Sequence, residues 1–330
     1  MSTSVVIHSE GDDPHAIAVA EHLRCVGTDV LILAREKCFE DWNISLGGDG
    51  VIVETRGKRL TCADIRSVFW RRNYLAEAGW VRGDHLPAAV RSFLAEQRLL
   101  HVDGAFKGLA LSVPFVNDVT ANFRARSKPL QLALAKRHGF NVPRTYVGNN
   151  RDSALLFAES LWSQGRQCCT KNIESNFFRK DGHVYGRFTT LFDKSHSDCL
   201  DGLASCPMIF QEFVRKRYEY RVTVVGKDVF ACRIDSQVGG GDTSIDWRNY
   251  NIPATPHSVT ELPARMRDAL ISLVKSLGLV FAAVDLIEDV SGEYVFLEVN
   301  SMGQWLWIED LTDLPISGSI ARHLAEPTAM

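Results

Sequence analysis

Residues 280–307 read VFAAVDLIEDVSGEYVFLEVNSMGQWLW. An apolar run carries a single carboxylate, Asp285, and ends in the turn Glu288-Asp289-Val290-Ser291-Gly292. A second apolar run then delivers Glu298 and Asn300 two residues apart, a spacing that puts both side chains on one face of a strand. The stretch is either an antiparallel hairpin whose acids face water or a set of three oxygen ligands on neighbouring strands. Hard divalent cations such as magnesium take oxygen ligands. Carboxylates inside otherwise apolar strands are usually paired or metal-bound, because an unpaired buried charge is costly, and this favours the second reading.

The chain has 330 residues, long for one core and suited to two or three domains. With 37 basic and 40 acidic side chains its net charge is -3, which gives no reason to expect nucleic-acid binding. The start, MSTSVVIHSEGDD, lacks the basic and apolar regions of a secretory signal. No stretch approaches the roughly 18 uninterrupted apolar residues of a membrane span, so a cytoplasmic protein without a membrane partner is expected. The cysteines are Cys25, Cys38, Cys62, Cys168, Cys169, Cys199, Cys206 and Cys232. None forms a C-x-x-C pair, so neither a zinc site nor a disulfide scaffold is indicated, and reduced thiols are expected.

Working outward, residues 4–8, 15–26 and 30–33 read as strand, helix and strand, the opening of a small α/β domain with parallel strands. The glycine-rich corner at residues 47–50 does not lie between a strand and a helix, so it is not a phosphate loop. Residues 65–70 form another strand ending in Arg71-Arg72-Asn73. Two arginines there either contact an anionic substrate or are a solvated pair at a domain edge. Residues 86–100 are helical, and residues 110–116 close the first domain.

Helices are expected over residues 130–139, with Pro129 in the first turn, and over 152–162. Strands are expected at 146–147, 166–170 and 208–214, with hairpins at 177–180/183–188 and 220–225/229–234. Residues 262–277 read as the longest helix, and 315–324 as the final one. Residues 236–244, with Gly239-Gly240-Gly241, form a loop that is either a mobile lid or an exposed linker. The partition is 1–117, 118–207 and 208–330.

Lys128 and Lys171 each stand at the end of an element, where a lysine can act as a point charge toward phosphate oxygens or simply be solvated. Gln211-Glu212-Phe213-Val214 ends an apolar strand and can set backbone groups and apolar side chains around an adenine ring. Together with Glu219, Arg221, Asp285 and Glu298-x-Asn300, these residues give the chain, from about residue 118 to its C-terminus, a resemblance to the ATP-grasp ligases. More narrowly it is similar to the microviridin-type peptide maturases, the graspetide synthetases. That likeness is carried by residues 68–72 (VFWRR), 128–131 (KPLQ), 220–226 (YRVTVVG), 246–248 (DWR) and 303–309 (GQWLWIE).

The resemblance implies an α/β chain with α+β parts. Its ATP-grasp fold would have a small N-terminal α/β domain and a nucleotide site between the central and C-terminal domains. Lys128 and Lys171 would hold ATP phosphates. Glu212 and Val214 would meet the adenine edge through the backbone, flanked by Gln211 and Phe213, with Glu219 near the ribose. Asp285, Glu298 and Asn300 would bind Mg²⁺. Arg221, Arg233 and Arg248 would face the acyl phosphate or substrate carboxylate, and Arg71 and Arg72 would touch an acidic peptide. The family often carries a glycine-rich loop where this chain has Phe177-Phe178-Arg179-Lys180, so either side chains would do that loop's work here or the loop with Gly239-Gly240-Gly241 would be the lid instead.

Phosphoryl transfer to a carboxylate makes a mixed anhydride that a hydroxyl or amine can attack, and it needs positioning and charge neutralisation more than a protein nucleophile. The expected partner is a ribosomal precursor peptide with a leader and an acidic core, and a homodimer is compatible with the family. The alternative is an ATP-dependent carboxylate–amine ligase that acts on a small molecule or adds amino acids to a protein terminus. A non-catalytic nucleotide-binding scaffold is disfavoured, because both lysines and all three oxygen ligands are present.

Overall fold

A computed structural model describes residues 3–48, 50–71, 85–174, 177–180, 183–186, 188–238, 245 and 255–327. The fold begins with a parallel four-stranded sheet in the order Val30–Ala34, Ser4–Ser9, Ile65–Trp70, Phe115–Val116. Ser4–Ser9 is buried along its whole length, as an inner strand covered on both faces must be. Val5, Ile7 and Phe69 face helix Pro14–Cys25, while Val6, Val68 and Trp70 face helix Ala88–Leu109. Pro14–Cys25 starts where Asp13 caps the His15 amide at 3.1 Å with Pro14 in the first turn. Trp42–Gly47, Gly50–Thr55 and Arg59–Thr61 form a separate antiparallel sheet, so the glycine-rich corner joins two paired strands. Ala88–Leu109, with 22 residues, is longer than Ala264–Ser276, with 13, contrary to the order expected from the sequence. Four of the five residues that Ala88–Leu109 buries lie in its C-terminal half, so its apolar pattern understates its length.

Two antiparallel sheets build the rest. One has the order Thr190–Phe192, Gln167–Lys171, Met208–Phe213, Thr145–Gly148, backed by helix Arg151–Trp162. The other has the order His257–Thr260, Asp228–Ile234, Lys216–Val225, Phe281–Asp289, Tyr294–Asn300. Phe177–Lys180 and His183–Gly186 pair by themselves. The expected domain breaks need correction. Met208–Phe213 pairs with Thr145–Gly148 and Gln167–Lys171, so the passage between sheets falls at residues 214–215 and not at 207–208. Helices Val119–Ala125 and Lys128–Arg137 contribute Ala121, Ala125, Leu134 and Ala135 to the core of the five-stranded sheet, not to the central one. Helix Leu306–Thr312, absent from the sequence reading, and helix Ile316–Ala325 pack Ile308, Ile316 and Ile320 against the N-terminal sheet. No described helix is long and apolar enough to cross a membrane.

Two buried amides hold the hairpin Phe281–Asp289/Tyr294–Asn300 in place. The Asn117 carboxamide accepts from the amides of Val280 (2.7 Å) and Phe281 (2.9 Å) and donates to the carbonyls of Phe281 (2.8 Å) and Ser301 (3.0 Å). It thereby clamps the start of one strand to the chain leaving the other. Gln131 takes the Val299 amide (2.9 Å) and donates to the Val299 carbonyl (2.8 Å), which satisfies the outer edge of the last strand and lays helix Lys128–Arg137 along it.

Asn117→Ala should cost about 2–4 kcal/mol of folding free energy, because it strands several buried backbone groups, and a urea titration will measure it. A second expectation concerns His8, stacked on Trp70 at 4.1 Å and fully buried. Burial, helped by the Arg35 charge, lowers its pKa from 6.5 to about 3. Below 6.5 the unfolded chain takes up a proton that the fold refuses, so stability falls as the pH drops toward 3. His8→Phe keeps the ring and removes this contribution. Its urea midpoint should therefore fall less than that of the wild type between neutral pH and about pH 4.

Candidate active site

The site lies where the central four-stranded sheet faces the five-stranded one. Alternation sorts each strand. On the central sheet Cys168, Phe210 and Phe192 pack against helix Arg151–Trp162, while Cys169, Lys171, Gln211 and Phe213 line the cleft. On the five-stranded sheet Tyr220, Val222, Val284 and Leu286 point into the helix-covered core, which leaves Glu219, Arg221 and Asp285 on the opposite face. The space between the sheets amounts to about 600 Å³, open to solvent. A further region of about 490 Å³ is bounded by Lys128, Lys171, Asn172, Glu174, Glu298 and Asn300. The two regions share Lys171, Thr189 and Glu298 and form one elongated cleft.

Its floor is a charged row across three strands. Arg221 is the register partner of Asp285, and Asp285 of Glu298. Arg221 Nη1 is 2.8 Å from Asp285 Oδ1, and Lys128 Nζ is 2.6 Å from Glu298 Oε2. The Asn300 amide nitrogen lies 3.0 Å from Glu298 Oε1 and 3.5 Å from Asp285 Oδ2. The structure thus brings Asp285, Glu298, Asn300, Lys128 and Arg221 together. A bulge makes this possible. Register shifts between Asp285 and Leu286, so that Leu286 faces Phe296 and Leu297 is the extra residue. Phe296 and Val299, three apart, both reach the core while Glu298 and Asn300 stay on the cleft face.

Among the described residues no group of three or more His, Cys, Asp or Glu gathers as a metal site. The donors here are two carboxylates and one carboxamide. They nevertheless suit a hard cation: all are oxygen-bearing, they share one face, and a half-turn of the Asn300 amide exchanges its nitrogen for its oxygen.

The residues expected beside the adenine have distinct surroundings. The Glu212 carboxylate turns away to Arg166, 2.6 Å from its Nη1, and its amide is bound to the Arg144 carbonyl. What Glu212 presents to the cleft is therefore backbone. Val214 follows in the link between the sheets and lies outside both ladders. Gln211 accepts from Lys171 Nζ at 2.8 Å. Glu219 pairs with Lys216 at 2.8 Å. Lys216 escaped the sequence reading because it stands three residues from Glu219, which in a regular strand means the opposite face. A second register shift, between Lys216 and Tyr218, brings it round. Of Cys169 and Thr189, which also line the cleft, Cys169 carries no sequence signal beyond strand alternation, and Thr189 precedes its strand and carries none.

Four further arginines are expected at the site from the sequence. Arg233 is the register partner of Tyr220 and lies over the Tyr218 ring at 4.6 Å, on the core side of the sheet, away from Asp285. Its assignment to the reacting carboxylate is corrected, since Cys232 is the residue opposite Arg221. Arg71 is 1% exposed. It pairs with Asp13 at 3.1 Å, donates to the Met302 and Gly303 carbonyls at 3.1 Å, and sits over Trp305. It ties the first sheet to the loop after Asn300 and is shielded from solvent. Arg72 and Arg248 lie outside the described residues, as do Gly239-Gly240-Gly241 and Trp247. Trp305, part of the stretch that carries the narrower resemblance, is fully buried against Phe281, Phe69 and His15.

No protein-family model matches the chain. Among solved structures it is similar to a Chryseobacterium gregarium RiPP-associated ATP-grasp ligase in complex with ADP and a leader and core peptide. The TM-score is 0.87 and the identity 26%, covering 99% of this chain and 98% of that one. It is likewise similar to the macrocyclase MdnC bound with precursor peptide MdnA from Microcystis aeruginosa MRC, with TM-score 0.84 and 26% identity over 98% of this chain and 99% of that one. Among curated proteins, the ribosomal protein bS6–L-glutamate ligase of Salmonella paratyphi B is 25% identical over 294 residues, 83% of this chain and 94% of its own length. The fold and cleft are those of an ATP-grasp ligase, an ADP-forming enzyme that activates carboxylates. Within that class the chain resembles the maturases of ribosomal peptides.

Arg71→Ala should lower folding free energy by about 3–5 kcal/mol, because Asp13 is left buried without its partner, and chemical denaturation will read this. Calorimetry on the folded fraction should find ADP affinity unchanged.

Proposed function

We propose that this protein is an ATP-dependent macrocyclase of a ribosomal precursor peptide with a leader and an acidic core, working in the cytoplasm. The γ-phosphoryl group of ATP passes to an Asp or Glu side-chain carboxylate of the peptide, giving an acyl phosphate and ADP. A Ser or Thr hydroxyl, or a Lys amine, then attacks the acyl carbon. The ester or amide forms as phosphate leaves, and the hydroxyl or ammonium proton passes to solvent.

The observation that carries this reading is the cleft itself. Lys128 and Lys171 stand at one end, beside the Asp285–Glu298–Asn300 row. In this reading the base edge lies along the backbone of Glu212 and Val214, between Gln211 and Phe213, with the ribose toward Glu219. The phosphates then run to the two lysines. Asp285, Glu298 and Asn300 would hold Mg²⁺, which would supply charge neutralisation to the phosphates. Arg221 fixes Asp285 and brings a cation to the same floor. Gly303 lets the following loop close onto that floor: a Cβ there would come within 2.8 Å of the Arg221 guanidinium and 2.3 Å of the Ala283 Cβ. Peptide substrates in the two RiPP ligase complexes support the peptide reading, and ADP in one of them supports the nucleotide. The likeness to the bS6 glutamate ligase favours a second reading, addition of a free amino acid to a protein terminus. A homodimer is part of the proposal.

The deciding experiment is mass spectrometry of candidate acidic precursor peptides incubated with the enzyme, ATP and Mg²⁺. Each ring closed removes one water. Free glutamate stimulating ADP release with no peptide dehydration would replace this reading with the second. Glu298→Ala should depress peptide-dependent ADP release about 100-fold or more, whereas undiminished turnover would remove Glu298 from the metal set.

A further inference from the structure

A hydrogen-bond chain inside the central sheet ends at the cleft. The Thr145 hydroxyl donates to the Pro143 carbonyl at 2.9 Å. With its proton committed there, the oxygen can only accept, and Gln211 Nε2 donates to it at 3.0 Å. The other end of the Gln211 carboxamide, Oε1, accepts from Lys171 Nζ at 2.8 Å. An ammonium group has donors and no acceptor, so a carboxamide turned the other way would set its NH₂ against Lys171 and lose both contacts. The orientation of Gln211 therefore follows from the chemistry at each end, and Thr145 enforces it from the side away from the cleft.

Strand pairing makes the chain rigid. Thr145 and Gln211 are register partners, as are Gln211 and Cys169, and Lys171 lies two residues beyond Cys169 on the same face. Gln211 is 4% exposed, so water does not readily replace a lost partner. We propose that Thr145 is a positioning residue for the nucleotide: through Gln211 it holds the Lys171 ammonium at the point where the two parts of the cleft meet, in register with a phosphate of the nucleotide. This rests on the reading of the cleft as the nucleotide site. Thr145 itself does not line the cleft. Its effect reaches the ligand only by fixing which end of an amide faces a lysine.

The test uses the full-length protein with Mg²⁺ and two probes, ADP and adenosine, measured by calorimetry or competition. Thr145→Val keeps the shape and removes the hydroxyl. It should weaken ADP about three- to tenfold, the worth of one buried hydrogen bond, and leave adenosine unchanged because adenosine has no phosphate for Lys171. Thr145→Ser should restore ADP binding to within about twofold. A residue that merely supports the sheet would weaken both ligands or neither, and either result overturns the proposal. Gln211→Glu gives a check that does not depend on how well Thr145→Val folds. A carboxylate accepts at both oxygens, so in that background Thr145→Val should no longer weaken ADP, and a persisting loss would count against the relay. Lys171→Ala separates the two levels. If it binds ADP like the wild type, the nucleotide assignment of Lys171 is wrong and the proposal falls with it. If it loses ADP while Thr145→Val does not, the cleft reading stands and the relay alone is overturned.

Discussion

Two carboxylates opposite one another on adjacent strands repel, and Asp285 and Glu298 are such a pair. The fold accepts them because a cation flanks each: Arg221 from the strand on one side, Lys128 from a helix laid along the outer edge on the other. Much of the architecture serves that row. Arg221 reaches it from the neighbouring strand. Lys128 reaches it because Gln131, one turn further along the same helix, hydrogen-bonds both main-chain groups of Val299 and fixes the helix to the strand edge. The hairpin keeps its place because Asn117 binds its two ends at once.

The cleft beside the row follows from alternation on two sheets that face each other. Each sheet buries every second residue against its own helices, and the residues left over are polar enough to meet a nucleotide. Regular alternation alone would not place them all. Leu297 in one strand and the register shift near Arg217 in another each insert one residue, and these insertions bring Glu298 and Lys216 to the cleft face. A β-bulge re-aims a side chain without ending the strand, which is why both strands continue past their irregularities.

The N-terminal sheet contributes by anchoring. Arg71, placed over Trp305 and bonded to the Met302 and Gly303 carbonyls, fixes the loop that leaves Asn300. Trp305 lies in the core shared by that sheet and the last helix, donating its indole N–H to Ser317. An arginine expected at a peptide and a tryptophan from the stretch that carries the narrower resemblance thus bury themselves to hold the hairpin Phe281–Asp289/Tyr294–Asn300 against the first domain.

By itself the sequence determined the hairpin of residues 281–300, the one-face placement of Glu298 and Asn300, and most strands and helices. Those signals are local: period two in a strand, a carboxylate in an apolar run, a proline in a first turn. Tertiary structure alone decided that helices near residues 119–137 join the C-terminal core, that strand Met208–Phe213 belongs to the central sheet, and that Arg233 points away from Asp285. It also decided that Arg71 is buried. The reason is physical. Which face of a strand is covered, and which buried charge finds a partner, depend on segments far away in the chain. A single inserted residue reverses every assignment made by counting in twos.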